Sequence, residues 1–193
     1  MITPAPHHAR RLLLAMAITL FGIGGTGVLV LYFFHPQNLQ ALIHMPVSEC
    51  LKSLGIGTVY AALCLPLMIL ILRTHWMQPT CGFFTQLMMA YRVRQIHIWG
   101  LSICAGVGEE LLFRGSIQPF LGIWPTALVF VLLHGYLNPF NRPLFLYGIL
   151  LTLISGGFGY LAEMFLLPAA IAAHVWIDVG LLYFLSSERV SIG

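Results

Sequence analysis

Residues 12–34 read LLLAMAITLFGIGGTGVLVLYFF, an uninterrupted apolar stretch of 23 residues that decides the fold class. About 20 apolar residues in a row are enough for an α-helix to cross the hydrocarbon core of a bilayer. The apolar runs are continuous and lack the alternation of a membrane β-barrel. The sequence therefore predicts an all-α, polytopic transmembrane helical bundle of about six spans, of which the third and fourth are the shortest. The five further spans are predicted at about 54–72, 96–113, 120–134, 144–161 and 165–185.

The composition of the whole chain agrees with a membrane location. Of the 193 residues, 59% are hydrophobic and 8% are charged, and the mean hydropathy is +0.91. Soluble domains carry about 25% charged residues. The formal net charge is only +3 and the basic residues are scattered, which argues against nucleic acid as a partner. We therefore expect an integral membrane protein whose solvent is the lipid bilayer.

The length suits one membrane domain over residues 1–193, in which 1–95 hold the N-terminal spans and 96–185 hold the chemically active segments. Between the second and third predicted spans, residues 79–91 either lie in the interface as an amphipathic helix or dip into the membrane. If they do not cross, only Lys52 and Arg114 of the nine Lys and Arg residues lie on the side opposite the termini. The positive-inside rule then places both termini in the cytoplasm.

Three charged residues interrupt the third predicted span. Glu109 and Glu110 are adjacent, and Arg114 follows one helical turn after the second carboxylate. A charge at the bilayer centre costs about 3 kcal/mol or more, so such residues indicate a functional site. On a helix Glu110 and Arg114 can pair, whereas Glu109 points about 100° away and can face another group. The alternative is an interfacial charge cluster that ends the helix.

Two histidines and an aspartate add polar groups to the later spans. His134 ends the fourth predicted span, and His174 and Asp178 lie four residues apart in the sixth, on one helix face. The carboxylate of Asp178 can orient the imidazole of His174. The alternatives are a hydrogen-bonded interfacial histidine at 134 and a polar clamp between helices at 174 and 178.

Brought together in a bundle, these side chains would suit hydrolysis of a peptide bond by water. A carboxylate and an imidazole can hold and deprotonate a water molecule, directly or through a metal. A second imidazole can stabilise the oxyanion. The chain contains no HExxH zinc motif and no serine or cysteine nucleophile elbow. The residues thus predict no certain cofactor and leave a divalent metal open.

The motifs resemble those of a known family. The patterns EExxxR at 109–114, FxxxH at 130–134 and HxxxD at 174–178 are similar to the three ordered motifs of the CPBP intramembrane proteases. This group includes the CAAX prenyl endopeptidases and bacterial proteins of the abortive-infection type. The resemblance covers 109–178 and implies an all-helical membrane endopeptidase with its site in a cavity open to one side.

The same resemblance implies a role for each site residue. Glu109 and His134 would position and activate the water, and Glu110 with Arg114 would support that site. His174 with its partner would stabilise the tetrahedral oxyanion. Glutamate-type chemistry is favoured over a metal-dependent mechanism.

One position departs from the family pattern. The third motif commonly ends in Asn, which donates a hydrogen bond, whereas Asp178 donates only when it is protonated. This departure favours a role for Asp178 in orienting His174 or in binding a metal.

The short chain is similar to bacterial members of the family, which implies a location in the inner membrane. The expected partners are protein or peptide substrates with a membrane-embedded segment, such as exported proteins whose C-terminal tails are removed. The alternative function is a non-catalytic immunity or partner-binding membrane protein on the same scaffold. A proton or metal-ion carrier is disfavoured, because the chain shows no repeated halves.

Overall fold

The computed structural model describes residues 6–192, with side chains described for 9–187, so the side chain of Arg189 lies outside the described residues. Within residues 6–192 every regular element is helical, which confirms the predicted fold class. The α-helices are α1 (Pro6–Ala17), α2 (Gly24–Phe34), α3 (Pro36–Ile43), α4 (Val47–Leu72), α5 (Gln78–Ala90), α6 (Gln95–Glu110), α7 (Gln118–Leu121), α8 (Ile123–Leu133), α9 (Arg142–Phe165) and α10 (Leu167–Ile192). Two π-helical segments, Ile18–Ile23 and Leu111–Ile117, join α1 to α2 and α6 to α7, and a 3₁₀ turn occupies His75–Met77.

Five continuous helical stretches are long and apolar enough to cross a membrane, so this is an integral membrane protein. They are Ala9–Phe34, Val47–Leu72, Gln95–Leu121, Arg142–Phe165 and Leu167–Ser187. The predicted fourth span is α8, a shorter apolar helix of 11 residues. Helix α5, over the segment predicted at 79–91, has 13 residues and is not a candidate span.

The prediction that the third span is among the shortest was wrong. Instead of ending near 113, the helical stretch Gln95–Leu121 runs for 27 residues, so Glu109 and Glu110 lie near its middle. The charge of Arg114 does not end the helix, because its guanidinium is paired inside the bundle. The backbone passes Arg114 in the π-helical segment Leu111–Ile117, a local widening often found at functional sites.

Close backbone contacts hold the glutamate-bearing helix against α2. A Cβ atom added to Gly24 would lie 2.9 Å from the Cα atom of Gly108, and one added to Gly27 would lie 2.7 Å from the carbonyl carbon of Leu111. Membrane helices use such small residues because lipid supplies no hydrophobic force between them. The first span therefore fixes the backbone that presents the two glutamates.

Helix α10 is packed against α4 and α6 in the same way. A Cβ atom at Gly57 of α4 would overlap the carbonyl oxygen of Ala169, and one at Gly106 of α6 would overlap the side chain of Val175. These contacts agree with the expectation that glycine and alanine allow close helix approach. They set the height and rotation of α10, which carries His174.

Candidate active site

The predicted pair between Glu110 and Arg114 forms inside the bundle. The Arg114 Nη1 atom donates a hydrogen bond of 3.0 Å to Glu110 Oε1, and both side chains are almost completely buried. The residues lie one helical turn apart, as their spacing predicts. A guanidinium and a carboxylate so far from water stabilise each other through this contact.

Arg114 has further partners that hold its guanidinium in place. Its Nη2 atom donates to the carbonyl oxygen of Ser155 at 3.0 Å and to the Ser155 hydroxyl at 2.5 Å. The guanidinium carbon lies 4.8 Å from the ring centre of Phe130 and 5.5 Å from that of Phe158. Arginine is suited to such a site because its planar group donates along its edge and stacks on aromatic faces.

Glu110 also fixes His174. The Nδ1 atom of His174 lies 2.7 Å from Glu110 Oε1, the oxygen that already accepts from Arg114. Because that carboxylate can only accept, Nδ1 carries the proton and donates it. The Nε2 atom therefore faces away from Glu110, 3.9 Å from Glu109 Oε2 and 3.6 Å from Asp178 Oδ2.

Glu109 points to the other side of the helix and has incomplete pairing. Its Oε2 atom is buried and has no hydrogen-bond partner among the described residues. The neighbouring nitrogens are His134 Nε2 at 3.5 Å and His174 Nε2 at 3.9 Å, both beyond a direct hydrogen bond of ideal length. A small polar molecule placed between these atoms can therefore make hydrogen bonds of better length than the side chains make with one another.

His134 lies at the C-terminal end of α8 and faces Glu109. Its Nδ1 atom lies 2.8 Å from the carbonyl oxygen of Phe130 and must carry a proton to make this bond. The Nε2 atom can then donate to Glu109 only when the ring is doubly protonated. Burial opposes that charge, but the nearby carboxylate of Glu109 and the bond to the Phe130 carbonyl outweigh it and raise the pKa of His134 above its ordinary value.

These residues line a cavity of about 350 Å³ with otherwise largely apolar walls. The lining residues with polar side chains include Glu109, His134, His174 and Asp178, together with Tyr136 and Tyr147. The Asp178 side chain is about one-third exposed, whereas that of His174 is 7% exposed. The arrangement can hold a water molecule beside Glu109 within reach of both imidazoles.

A second cavity, of about 520 Å³, lies toward the other end of α9. Glu49, Gln118 and Glu163 are among its lining residues, and Arg114 also lines it. Gln118 donates to Glu163 Oε1 at 3.0 Å, so Glu163 is bonded to the bundle near the end of α9. Arg114 lines this second cavity, whereas its hydrogen-bond partner Ser155 lines the site cavity.

The structure brings all six predicted site residues into one connected cluster: Glu109, Glu110, Arg114, His134, His174 and Asp178. Sequence reasoning missed Ser155, a small uncharged residue whose hydroxyl and carbonyl both accept from Arg114. It also missed Phe158 and Tyr136, which carry no charge in an apolar chain. Phe130 had a signal, since it begins the motif that ends at His134.

The side chains are not arranged as a metal site. Among the residues that the structure describes, no group of three or more His, Cys, Asp or Glu side chains could hold a metal ion. The donors of the cluster are engaged with one another, as in the bonds from Arg114 and His174 to Glu110. We therefore derive no step that passes through a metal.

The fold and this cluster define an integral membrane protein with a carboxylate–imidazole site inside its helical bundle. Residues 92–180 match the family model described as type II CAAX prenyl endopeptidase Rce1-like. The matched segment is a little under half of the chain, contains all three motifs and supports assignment to the CPBP/CAAX protease family. Comparisons with curated proteins and with solved structures give no match. The family implies a protease that acts on a peptide substrate at a membrane.

Proposed function

We propose that this protein is an intramembrane endopeptidase of the glutamate type, in which Glu109 and His134 activate the attacking water. One observation carries the proposal: within the part of the chain that the structure describes, the buried Glu109 Oε2 atom has no hydrogen-bond partner, and it faces His134 Nε2 at 3.5 Å inside the cavity. A buried carboxylate oxygen without a partner is costly. A water molecule that donates to this oxygen removes that cost and is held where a base can deprotonate it.

The first chemical step is attack on the scissile carbonyl group. Glu109 accepts one proton of the bound water while the water oxygen forms a bond to the carbonyl carbon. His134 makes the second contact that holds this water molecule. The carbonyl π electrons move to oxygen, which gives a tetrahedral oxyanion. The walls of the cavity are largely apolar, so hydrogen bonds to this oxyanion are stronger there than in bulk water.

The second step is collapse of the tetrahedral intermediate. The carbon–nitrogen bond breaks as the electron pair returns from the oxyanion, and the leaving nitrogen receives the proton that Glu109 took from water. The two products leave as a carboxylic acid end and an amine end, and Glu109 returns to its ionised form. The acid then passes its proton to the amine, which gives a carboxylate and an ammonium group, so one water molecule is added across the bond and protons and charge balance.

The remaining residues position the reacting groups. Glu110 accepts from both Arg114 and His174, and it thereby fixes the His174 ring with Nε2 toward the cavity. Asp178 lies 3.6 Å from that nitrogen and orients the same ring. We propose that these contacts keep both imidazoles in register with Glu109.

The proposed substrates are C-terminal tails of membrane-anchored proteins in a bacterial inner membrane. The wall of the site cavity is largely apolar, which suits a peptide segment leaving the lipid. The residues that line it lie near the C-terminal ends of α4 and α8, on the end of the bundle that the positive-inside rule places in the cytoplasm.

The experiment compares membrane peptides from cells that produce the wild type, Glu109→Ala or His134→Ala. We expect both variants to insert and fold but to lose cleavage at least 1000-fold, so uncleaved tails of the same proteins accumulate. Glu163→Ala is the control, because it removes a carboxylate outside the site cavity. Normal cleavage by both site variants would exclude the protease mechanism. Protection or partner binding that survives them would favour the immunity protein.

A further inference from the structure

The oxyanion of the proposed reaction needs hydrogen-bond donors, and the predicted residues supply few. Because it concerns a donor to that oxyanion, the inference drawn below rests on the proposed function. Asp178 cannot donate while it is ionised. The Nδ1 atom of His174 donates to Glu110 at 2.7 Å. The Nε2 atom of the same ring lies within 4 Å of the carboxylates of Glu109 and Asp178, which compete for any proton on this nitrogen. An oxyanion hole requires donors that are free and aimed into the cavity.

Tyr136 is placed at this cavity by the end of helix α8. Gly135 adopts a left-handed conformation with φ of 76°. Its N–H bonds to the carbonyl oxygen of Leu132 at 2.9 Å, and the N–H of Tyr136 bonds to that of Val131 at 3.3 Å. These two bonds form a Schellman cap, which turns the chain back onto the helix. The turn brings the side chains of His134 and Tyr136 to the same cavity wall.

The aromatic rings around Tyr136 fix its direction. Its ring is nearly parallel to that of His134, with 6.2 Å between ring centres, and it meets Tyr147 edge-on at 6.0 Å. Phe84 of α5 packs at 6.2 Å on another side. The ring is thus held by three neighbours, one of which is the imidazole that contacts the proposed water.

The hydroxyl group of Tyr136 is available for a ligand. No hydrogen bond to it is found among the described residues, and it is not one of their completely buried, unpartnered polar atoms, so it keeps some accessible surface on a residue that lines the cavity. Burial, followed by the charges of Asp178 and Glu109, raises the pKa of Tyr136 to about 12. The phenol therefore stays protonated near neutral pH and keeps a proton to donate.

We propose that the phenolic hydroxyl of Tyr136 donates a hydrogen bond to the oxyanion of the tetrahedral intermediate. It thereby supplies the hydrogen bond that the ionised carboxylate of Asp178 cannot donate. The bond forms only after the carbonyl oxygen has become charged and tetrahedral, so it lowers the barrier without tightening the binding of intact substrate.

The test measures cleavage by the full-length protein reconstituted in liposomes. The probe is an internally quenched peptide with the sequence around the bond identified by the membrane-peptide comparison. We expect Tyr136→Phe to lower kcat about 100- to 1000-fold while KM changes less than about threefold, as for loss of one oxyanion donor. Tyr147→Phe is the matched control, because it also removes a phenolic hydroxyl from a residue that lines the cavity. The ring of Tyr147 contacts that of Tyr136 and lies one ring farther from His134. We expect it to keep kcat within about threefold.

A second measurement separates transition-state stabilisation from folding. In a phosphinic analogue of the probe, a tetrahedral anion replaces the scissile amide. Tyr136→Phe should weaken binding of this analogue about 100-fold or more and leave binding of the intact peptide to the inactive Glu109→Ala background unchanged. A structural role would instead weaken both ligands together.

The outcomes distinguish this inference from the proposed function. If Glu109→Ala still cleaves the probe, the protease mechanism fails. If Glu109→Ala is inactive while Tyr136→Phe keeps its full kcat, or raises KM alone, only the donor role of Tyr136 fails. Equal losses in Tyr136→Phe and Tyr147→Phe would also overturn it.

Discussion

The regions around Glu110 and Glu109 differ in how completely their polar atoms are paired. Glu110 is fully buried, and its Oε1 atom accepts from Arg114 and His174 at 3.0 and 2.7 Å, although its Oε2 atom has no partner. Glu109 lines the cavity, and its nearest basic nitrogens lie at 3.5 and 3.9 Å. Two adjacent residues of the same type therefore have different surroundings.

This difference shows how one helix can hold a rigid part and a reactive part of a site. A carboxylate whose contacts to charged partners are short, as at Glu110, sets the position of these partners, because moving it would leave buried charges unpaired. A carboxylate whose contacts are long has room for an incoming molecule. We therefore expect changes at Glu110 to act mainly on folding and changes at Glu109 to act mainly on chemistry.

The largest effect on stability should follow Glu110→Gln. The change leaves the buried guanidinium of Arg114 without its carboxylate, which costs about 3–5 kcal/mol in the free energy of unfolding. Glu109→Gln is the matched variant and should change that free energy by less than about 1 kcal/mol, because its carboxylate makes no short hydrogen bond. Denaturant unfolding in detergent micelles measures both. Equal losses would contradict the division between the two regions.

A smaller loss should follow Ser155→Ala. The hydroxyl accepts from Arg114 Nη2, so its removal costs about 1–3 kcal/mol in the free energy of unfolding. Ser102→Ala is the control: its hydroxyl is equally buried but has no hydrogen-bond partner among the described residues. We expect this second change to be neutral or stabilising in the same unfolding experiment. A greater loss at 102 than at 155 would show that Ser155 does not hold Arg114.

The smallest effect concerns the protonation of His134. Because its folded-state pKa is raised by Glu109, the contact stabilises the fold fully below the unfolded value of about 6.5 and loses this effect as the pH rises through the folded value. Glu109→Gln removes the carboxylate, so the pKa of His134 should fall. Nuclear magnetic resonance of isotope-labelled imidazole rings measures the change. A pKa that stays the same or rises would mean that Glu109 does not govern His134.

Much of the fold could be predicted from the sequence because its physical causes are local. A run of apolar residues such as 12–34 has few alternatives in a membrane, and the spacing of Glu110 and Arg114 places them on one turn. The length of the third span could not be predicted, because it depends on a contact from another helix. Only when Ser155 and the aromatic rings surround Arg114 can the charged segment continue as helix.

The candidate site could be predicted in part for the same reason. Glu109 is conspicuous because only 8% of the residues in this chain are charged, and His174 is conspicuous because it lies inside a predicted apolar span. The contact between His134 and Glu109 depends on how α8 packs, which no short-range pattern reports. Tyr136 has no such signal, since tyrosine is common near membrane interfaces and its place in the cavity follows from the turn at Gly135.

The contact between Arg114 and Ser155 has a consequence for the electrical insulation of the membrane. Arg114 lines the cavity of about 520 Å³, and Ser155, which accepts a hydrogen bond from it, lines the cavity of about 350 Å³. The two cavities lie toward opposite ends of α9, in a protein whose surrounding bilayer core is about 30 Å thick. A protein with two such cavities must still keep ions from crossing, and the buried ion pair of Arg114 with Glu110 lies where their walls touch.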